Sequence, residues 1–150
     1  MERTFVAIKP DGVKRGLIGK IIQRFEEKSY KLTAMKMINV TMEQAQKHYE
    51  EHLGKPFYDG LIKFITSGPI VAMAFEGNNV ILGVRHILGA TNPDNADVGS
   101  IRADFCTVKE YNVVHASDSP ESAEREINLW FNKDEICDNY KTSLEILMGI

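Results

Sequence analysis

Four short β-prone runs, separated by helical stripes, limit the folds that this 150-residue chain can adopt. The runs are residues 4–8, 31–40, 70–75 and 113–114. The first and third runs are almost wholly apolar, which is typical of strands that are covered on both faces. Strands of this kind, alternating with amphipathic helices, favour a sheet covered by helices.

Between these runs, apolar residues recur at the spacing of an amphipathic helix. The stripes are Ile18, Ile21, Ile22 and Phe25; Met42, Ala45, Tyr49 and Leu53; Leu61, Ile62 and Ile65; Val80, Val84, Ile87 and Leu88; and Ala123, Ile127, Trp130 and Phe131. When the inserted short helices and the long loop of residues 89–100 are set aside, the order is βαββαβ. This order predicts an α+β fold of the ferredoxin-like type, an antiparallel sheet with helices packed on one face. We find no repeat, low-complexity segment or linker, so we expect residues 1–150 to form a single domain.

Composition and charge exclude several classes of protein. A hydrophobic content of 43% in 150 residues suits one compact domain with its own core. The net charge of −3 provides no general basic field, so nucleic acid is not expected as an obligate partner. The two cysteines, Cys106 and Cys137, are too few for a disulfide framework and indicate reduced thiols. We see no signal-peptide pattern and no apolar run of membrane-spanning length, so we expect a cytoplasmic protein with no membrane partner.

A histidine and a glutamate near the end of the chain are the first candidates for chemistry. His115 ends the last β-prone run, and Ser119 and Pro120 are typical of the N-cap and first position of a following helix. Glu126 shares the inner side of that helix with its apolar residues, where a carboxylate needs a partner. If Glu126 holds one imidazole nitrogen, the other is free to act as a nucleophile. The alternative is a boundary glutamate that reaches water and a histidine that caps a loop.

Cationic and hydroxyl side chains near the other strand ends suit a phosphate-binding site. Lys9 follows the first run, while Arg85, Thr91 and Arg102 surround the loop of residues 89–100. The arginines could instead form ion pairs with acidic residues of that loop, and Lys9 could be an ordinary solvated lysine. No glycine-rich phosphate motif is present, so side chains would have to hold the phosphates.

Aromatic and histidine residues around the second helical stripe complete the set of candidates. The stripe places Tyr49 on the inner side of its helix. Phe57 follows Pro56 and is either core filler or an aromatic platform at the mouth of a cleft. We expect His48 and His52 to be solvated positions on or beside the helix.

Taken together, these residues resemble the nucleoside diphosphate kinase family over essentially the whole chain to about Tyr140. The matching motifs are IKPDGV (8–13), HY (48–49), KPF (55–57), SGP (67–69), Arg85, LGATNP (88–93), IRADF (101–105) and NVVHASDS (112–119). The resemblance implies a ping-pong transfer of the γ-phosphoryl group from a nucleoside triphosphate, mainly ATP, to a nucleoside diphosphate through a phosphohistidine. Such a reaction supplies GTP, UTP, CTP and deoxynucleoside triphosphates.

The resemblance also implies a catalytic role for several positions of this sequence. His115 would be the nucleophile, Glu126 would hold its other ring nitrogen, and Ser117 would help to position that carboxylate. The side chains that would stabilise the phosphates are Lys9, Tyr49, Arg85, Thr91 and Arg102.

Nucleotide binding, magnesium and assembly follow from the same resemblance. Asn112, together with Lys9, would meet the sugar 3′-hydroxyl, and Phe57 would stack on the base, a contact that every base can make. Mg²⁺ would arrive on the nucleotide, because nothing in the sequence indicates a dedicated carboxylate site. The family forms homo-oligomers, and we expect a homohexamer or, less often, a tetramer.

The chain departs from the family pattern at a few positions. Ala116 stands where the family usually has glycine, and Lys109 where an apolar side chain often packs on the other side of the base. Residues 97–100 replace the usual proline and threonine, and the tail after Tyr140 lacks the family's aromatic ending. Two alternatives remain open from the sequence: a non-catalytic nucleotide-binding or regulatory protein on the same scaffold, and a single-stranded nucleic-acid binder.

Overall fold

The computed structural model describes all 150 residues, and four strands form its centre. They are β1 (Glu2–Ile8), β2 (Lys31–Asn39), β3 (Pro69–Gly77) and β4 (Val114–Ala116). The sheet has the order β2-β3-β1-β4, and every neighbouring pair is antiparallel. This arrangement confirms the predicted ferredoxin-like fold class.

Eight helices connect and cover the strands. They are α1 (Pro10–Lys14), α2 (Ile18–Glu27), α3 (Met42–His48), α4 (Tyr58–Ile65), α5 (Val80–Leu88), α6 (Ile101–Phe105), α7 (Pro120–Trp130) and α8 (Ser143–Met148). Short 3₁₀ turns occur at Glu50–His52, Pro93–Asn95, Lys109–Tyr111 and Lys133–Glu135. No helix combines the length and the hydropathy that crossing a membrane would require.

The two faces of the sheet support separate hydrophobic cores, because successive side chains of β1 point in opposite directions. Val6 and Ile8 pack on one face with residues of α2 and α5, the two helices of the βαββαβ order. Phe5 and Ala7 pack on the other face with the inserted helices α3 and α4 and with α7. The two helices of the βαββαβ order therefore lie on one face of the sheet, as predicted, and the added helices cover the opposite face.

The second predicted helix is shorter than its apolar stripe indicated. α3 ends at His48 and a 3₁₀ turn follows, so the helical periodicity does not continue to Leu53, which is 72% exposed. The buried face of α3 consists instead of Ala45 and His48, three residues apart. The prediction that His48 is solvated is wrong, because this residue is only 5% exposed.

The chain turns sharply just before the last strand, which begins one residue later than predicted. Val113 has a φ of +61°, a left-handed conformation that is costly for a β-branched residue. Its N–H donates to the Asp11 carboxylate at 3.1 Å, and its carbonyl accepts from the N–H of Lys9 at 2.9 Å. Gly12 permits this approach, because a Cβ there would lie 3.0 Å from the Val113 carbonyl oxygen. These contacts fix the backbone that leads into His115.

Candidate active site

His115 and Glu126 lie within hydrogen-bonding distance of each other. His115 Nε2 is 3.0 Å from Glu126 Oε1, and the Ser117 hydroxyl donates to the same oxygen at 2.7 Å. Glu126 is only 4% exposed, so it does not reach water as the alternative required. Burial alone would raise the pKa of the Glu126 carboxyl, but hydrogen bonds from His115 and Ser117 lower it to about 2. An ionised carboxylate can only accept, so Nε2 of His115 carries the proton and the Nδ1 lone pair is free.

The start of α7 explains why this pair forms. The Ser119 hydroxyl accepts from the N–H of Ser122 at 3.1 Å, and Pro120 occupies the first position of the helix. Glu126 lies on the buried face of α7 and projects towards β4, whose register with β1 fixes the position of His115. The capped helix and the short strand therefore bring the two side chains together.

His48 lies against the same pair, although its sequence position predicted a solvated residue. The ring centroids of His48 and His115 are 4.8 Å apart, with the planes at 79°. Trp130 Nε1 donates to His48 Nδ1 at 3.2 Å. Burial, followed by the nearby His115, lowers the pKa of His48 to about 3. Two sequence signals could have identified this residue: its three-residue spacing from Ala45 on α3 and its place in the matching HY motif.

A cavity of about 670 Å³ opens beside His115, within the range of small-molecule sites. The predicted site residues that line it are Lys9, Tyr49, Phe57, Arg85, Thr91, Arg102, Asn112, His115 and Glu126. Ser117 is the exception, because it is fully buried and reaches the cavity only through the Glu126 carboxylate. The fold thus gathers residues from six separate parts of the sequence around one space.

Lys9 and Asn112 form one wall of the cavity. The Lys9 ammonium donates to Asn112 Oδ1, and the Asn112 amide donates to the Thr91 carbonyl at 3.3 Å. Burial lowers the pKa of Lys9 to about 8, against the attraction of the Asp11 carboxylate. Lys9 therefore remains mostly charged at neutral pH, and it is a half-buried cation on the cavity wall rather than the solvated lysine of the alternative.

Arg102 supports the backbone around the cavity. Its guanidinium donates to three carbonyls, those of Gly89 at 3.0 Å, Asn112 at 3.4 Å and Val114 at 2.6 Å. Burial, followed by the neighbouring Arg85, lowers the pKa of Arg102 to about 10, so it stays charged. Arg102 therefore combines a structural role, which the sequence did not predict, with a position on the cavity wall.

Arg85 and Tyr49 add a third cation and a hydroxyl. Arg85 is exposed and donates to the Ala116 carbonyl at 3.3 Å. Neither Arg85 nor Arg102 forms an ion pair with an acidic residue of the 89–100 loop, so that alternative does not hold. Burial, followed by Glu126, raises the pKa of Tyr49 to about 12, and its hydroxyl therefore remains a hydrogen-bond donor.

The mouth of the cavity is more open than its base. Phe57 is 51% exposed and contacts the His52 ring edge to face at 5.3 Å, so it is a platform rather than core filler. Lys109 and Tyr111, from the 3₁₀ turn at Lys109–Tyr111, also line the cavity. The Tyr111 ring lies against that of Phe64, with centroids 5.7 Å apart.

Three possible metal ligands, from His48, His115 and Glu126, lie within 4.8 Å of one another. This donor set does not suit Mg²⁺, which prefers oxygen ligands. It does not suit a transition metal either, because His48 Nδ1 already accepts from Trp130 and the neutral ring then carries its proton on Nε2. These residues therefore fit proton and phosphoryl chemistry better than a resident metal.

Comparison with known proteins identifies the family. A family model described as nucleoside diphosphate kinase matches residues 2–136. A nucleoside diphosphate kinase of Thermosynechococcus vestitus is 60% identical over 136 residues, 91% of each chain, and that of Methanocaldococcus jannaschii is 58% identical over 137 residues, 91% of this chain and 98% of its own. The chain belongs to the nucleoside diphosphate kinase family.

Solved structures of the family agree with this assignment. A nucleoside diphosphate kinase family protein from Babesia bovis superposes with a TM-score of 0.94 at 44% identity, over 99% of both chains. The halophilic nucleoside diphosphate kinase from Halobacterium salinarum, in complex with CDP, superposes with a TM-score of 0.93 at 44% identity, over 97% of both chains. The chain is accordingly a nucleotide-binding phosphotransferase, and the general activity of its family is ping-pong transfer between nucleotides.

Two departures from the family pattern can now be placed. Ala116 lies in β4 and is not among the residues of positive φ, so its backbone does not require glycine. Lys109 lines the cavity near its mouth, where its side chain is exposed. The first departure leaves the backbone of β4 unchanged, while the second places a charged side chain near the mouth of the cavity.

Proposed function

We propose that Nδ1 of His115 carries the phosphoryl group in the family's reaction. The observation that carries the proposal is that Glu126 engages Nε2 while the ring lines the cavity, which leaves Nδ1 for an incoming phosphorus. The Nδ1 lone pair attacks the γ-phosphorus in line, the bond to the bridging oxygen breaks, and the nucleoside diphosphate leaves. A terminal oxygen of a second nucleoside diphosphate then attacks the phosphorus, the P–N bond breaks, and a new triphosphate leaves.

Glu126 and Ser117 hold the ring while its charge changes. The imidazole becomes more positive as the P–N bond forms, so its hydrogen bond from Nε2–H to the ionised Glu126 strengthens in the transition state. Ser117 donates to the same carboxylate oxygen and restricts its rotation. The proton thus stays on Nε2 through both half-reactions.

The polar residues of the cavity suit the phosphates. We assign Lys9, Tyr49, Arg85, Thr91 and Arg102 to phosphate oxygens. Arg102 is close enough to lower the pKa of Lys9, and Arg85 is close enough to lower that of Arg102, so in a chain with a net charge of −3 these three cations concentrate positive charge on one part of the cavity wall. Because the three cations are fixed before the nucleotide binds, they can stabilise the charge on the transferring group without reorganisation.

The remaining cavity residues suit the sugar and the base. Lys9 and Asn112, which are already hydrogen-bonded to each other, would bind the sugar 3′-hydroxyl. The exposed face of Phe57 would stack on the base. The structural relative from Halobacterium salinarum was solved with CDP, which supports a nucleoside diphosphate as ligand.

We further propose that Mg²⁺ enters on the nucleotide, where it would neutralise phosphate charge. We expect residues 1–150 to form one domain. We also expect a cytoplasmic location, because both cysteines are free thiols, as is usual in a reducing compartment. We also propose a homo-oligomer, for which the family resemblance favours a hexamer over a tetramer. The exposed apolar side chains of Met35 and Met37 on β2, an edge strand, support a contact between subunits.

A labelling experiment tests the proposal. After incubation with γ-labelled ATP and Mg²⁺, the protein should retain label that is acid-labile and alkali-stable, and ADP, GDP, CDP or UDP should each remove it. His115→Gln should retain none, while the exposed His86→Gln on α5 should label as the wild type does. A wild-type protein that takes up no label would refute the kinase assignment.

A further inference from the structure

We propose that His48 is a positioning residue for His115, and that Trp130 locks His48 in the neutral Nε2–H tautomer. The proposal rests on the proposed role of His115 as the nucleophile. It assigns to two residues outside the predicted site the task of keeping the reacting ring and its carboxylate partner in one arrangement.

The hydrogen bond from Trp130 determines the tautomer. An indole N–H can only donate, so His48 Nδ1 must present its lone pair at 3.2 Å from Trp130 Nε1. A neutral imidazole has one N–H, which must then be on Nε2. Protonation of Nδ1 would place two donors face to face inside the core, so the same contact opposes the charged form of His48.

Packing explains how His48 acts on His115. Glu126 fixes one atom of the His115 ring, and rotation of the ring is restricted by contacts with two aromatic neighbours. These are His48, at 4.8 Å and 79°, and Phe5, at 6.0 Å and 52° between ring centroids and planes. Trp130 stacks on Phe5 at 6.0 Å with planes 7° apart, so one indole supports both neighbours. The nucleophile therefore lies in a rigid aromatic setting.

A neutral His48 also protects the pair of His115 and Glu126. The titratable groups that act on His48 are His115 from β4, Arg125 and Glu126 from α7, His52 from the 3₁₀ turn at Glu50–His52, and the adjacent Tyr49. Among these, Glu126 favours a charged His48, and its carboxylate lies within 4.8 Å of a ring nitrogen of His48. A charged His48 would compete with His115 for that carboxylate. By keeping His48 neutral, Trp130 removes a cation that would compete with His115 for the Glu126 carboxylate.

The tautomer can be measured without nucleotide. Two-bond ¹H–¹⁵N correlation spectra of the full-length protein, with the His48 signals identified through His48→Asn, should show the Nε2–H form unchanged from pH 8 to pH 5. In Trp130→Phe, which lacks the donor, the His48 signals should titrate at a higher pH than in the wild type. A Nδ1–H tautomer or a charged His48 at pH 7 in the wild type would overturn the proposal.

Kinetics test the positioning role. His48→Phe keeps an aromatic ring but cannot accept from Trp130, and we expect phosphoenzyme formation at saturating ATP to slow by about 10- to 100-fold. The nucleotide dissociation constant should stay within about twofold, because His48 is not assigned to nucleotide. His48→Asn offers an amide oxygen to Trp130 and should recover part of the rate. The control, His86→Phe, should leave the rate unchanged.

The possible results separate the positioning role of His48 from the proposed phosphoryl transfer by His115. If His48→Phe and His48→Asn both fold, as judged by thermal unfolding, and both react at the wild-type rate, the positioning role of His48 is wrong. A slower rate in His48→Phe that His48→Asn does not improve would also contradict the role of the Trp130 hydrogen bond. If the wild type forms no phosphoenzyme, the proposed function fails. The correlation spectra still test the tautomer of His48 in that case, because they need no nucleotide.

Discussion

The base and the mouth of the same cavity are built in different ways. At the base, His115, Glu126 and Ser117 are joined by hydrogen bonds of 3.0 Å and 2.7 Å. At the mouth, Phe57 and Lys109 are exposed, and no hydrogen bond fixes either side chain to the protein. Under the proposed function, this difference separates a preorganised centre for phosphoryl transfer from an adaptable surface for different bases. Changes at the base should therefore reduce rates or stability, and changes at the mouth should alter binding alone.

Removal of the Glu126 carboxylate should have the largest effect. Glu126→Ala should slow phosphoenzyme formation by about 100-fold or more, because the ring loses the acceptor that holds its tautomer and stabilises its charge. It should also lower the free energy of unfolding by about 1–3 kcal/mol, since buried donors on His115 and Ser117 lose their partner. Rapid-quench labelling measures the rate of phosphoenzyme formation, and chemical denaturation measures the free energy of unfolding. Glu124→Ala, an exposed change on the same helix, is the control, and equal kinetics in both variants would remove Glu126 from the site.

Acid should destabilise the base of the cavity in two stages. The pKa of His48 falls to about 3 and that of Glu126 to about 2, both below their ordinary values, so the folded protein binds fewer protons than the unfolded chain. The stability due to His48 is complete above about pH 6.5 and that due to Glu126 above about pH 4.5, and each is lost as the pH falls towards the folded pKa.

Denaturation between pH 7 and pH 4.5 isolates the first stage. The free energy of unfolding should fall over this range in the wild type and fall less in His48→Asn, which has no imidazole to charge at this position. His86→Asn, at an exposed position, should keep the wild-type slope. Identical slopes in all three proteins would show that His48 is not buried in its neutral form.

At the mouth, loss of the Phe57 ring should weaken binding and spare the chemistry. Phe57→Ala should raise the dissociation constants of ADP, GDP and CDP by about tenfold each, because stacking uses the face that every base presents. Turnover at saturating nucleotide should remain close to that of the wild type, and Phe57→Tyr should preserve affinity. A collapse of saturated turnover in Phe57→Ala would contradict the division between base and mouth.

The smallest change should come from Lys109. Replacing this exposed ammonium by the apolar side chain usual in the family, in Lys109→Val, should tighten nucleotide binding by about twofold, because more apolar surface meets the base. Calorimetric titration with ADP measures the shift. Weaker binding would instead show that the ammonium itself contacts the nucleotide.

At the base of the cavity, the sequence predicted a side chain correctly where regular helix geometry determines its position, and failed where a helix ends. Glu126 could be placed on the inner side of α7 because a capped helix of eleven residues keeps its periodicity. His48 was missed because α3 ends at that residue, so a stripe extended to Leu53 placed the wrong side chains inside. The end of a short helix depends on tertiary contacts that no periodicity records.

Local backbone strain and hydrogen bonds from side chains to the backbone could not be predicted from sequence patterns either. A β-branched residue gives no sign that it adopts a left-handed conformation, as Val113 does, because its contacts with Lys9 and Asp11, which Gly12 permits, exist only in the folded chain. Arg102 was identified as a cation, but its bonds to three carbonyls depend on the path of the chain after folding. The fold class, by contrast, follows from element order alone and was predicted in full.

The site of phosphorylation on the imidazole tests the central claim most directly. The claim is that a carboxylate from α7 occupies Nε2 of His115 and so directs the phosphoryl group to Nδ1. The protein is labelled with ¹⁵N-histidine, allowed to react with ATP and then quenched with alkali. Correlation spectra between ³¹P and ¹⁵N distinguish the two phosphohistidine isomers, and the His115→Gln variant identifies the residue that is phosphorylated. We predict phosphorylation of Nδ1 of His115. Phosphorylation of Nε2, or of any residue other than His115, would contradict the account.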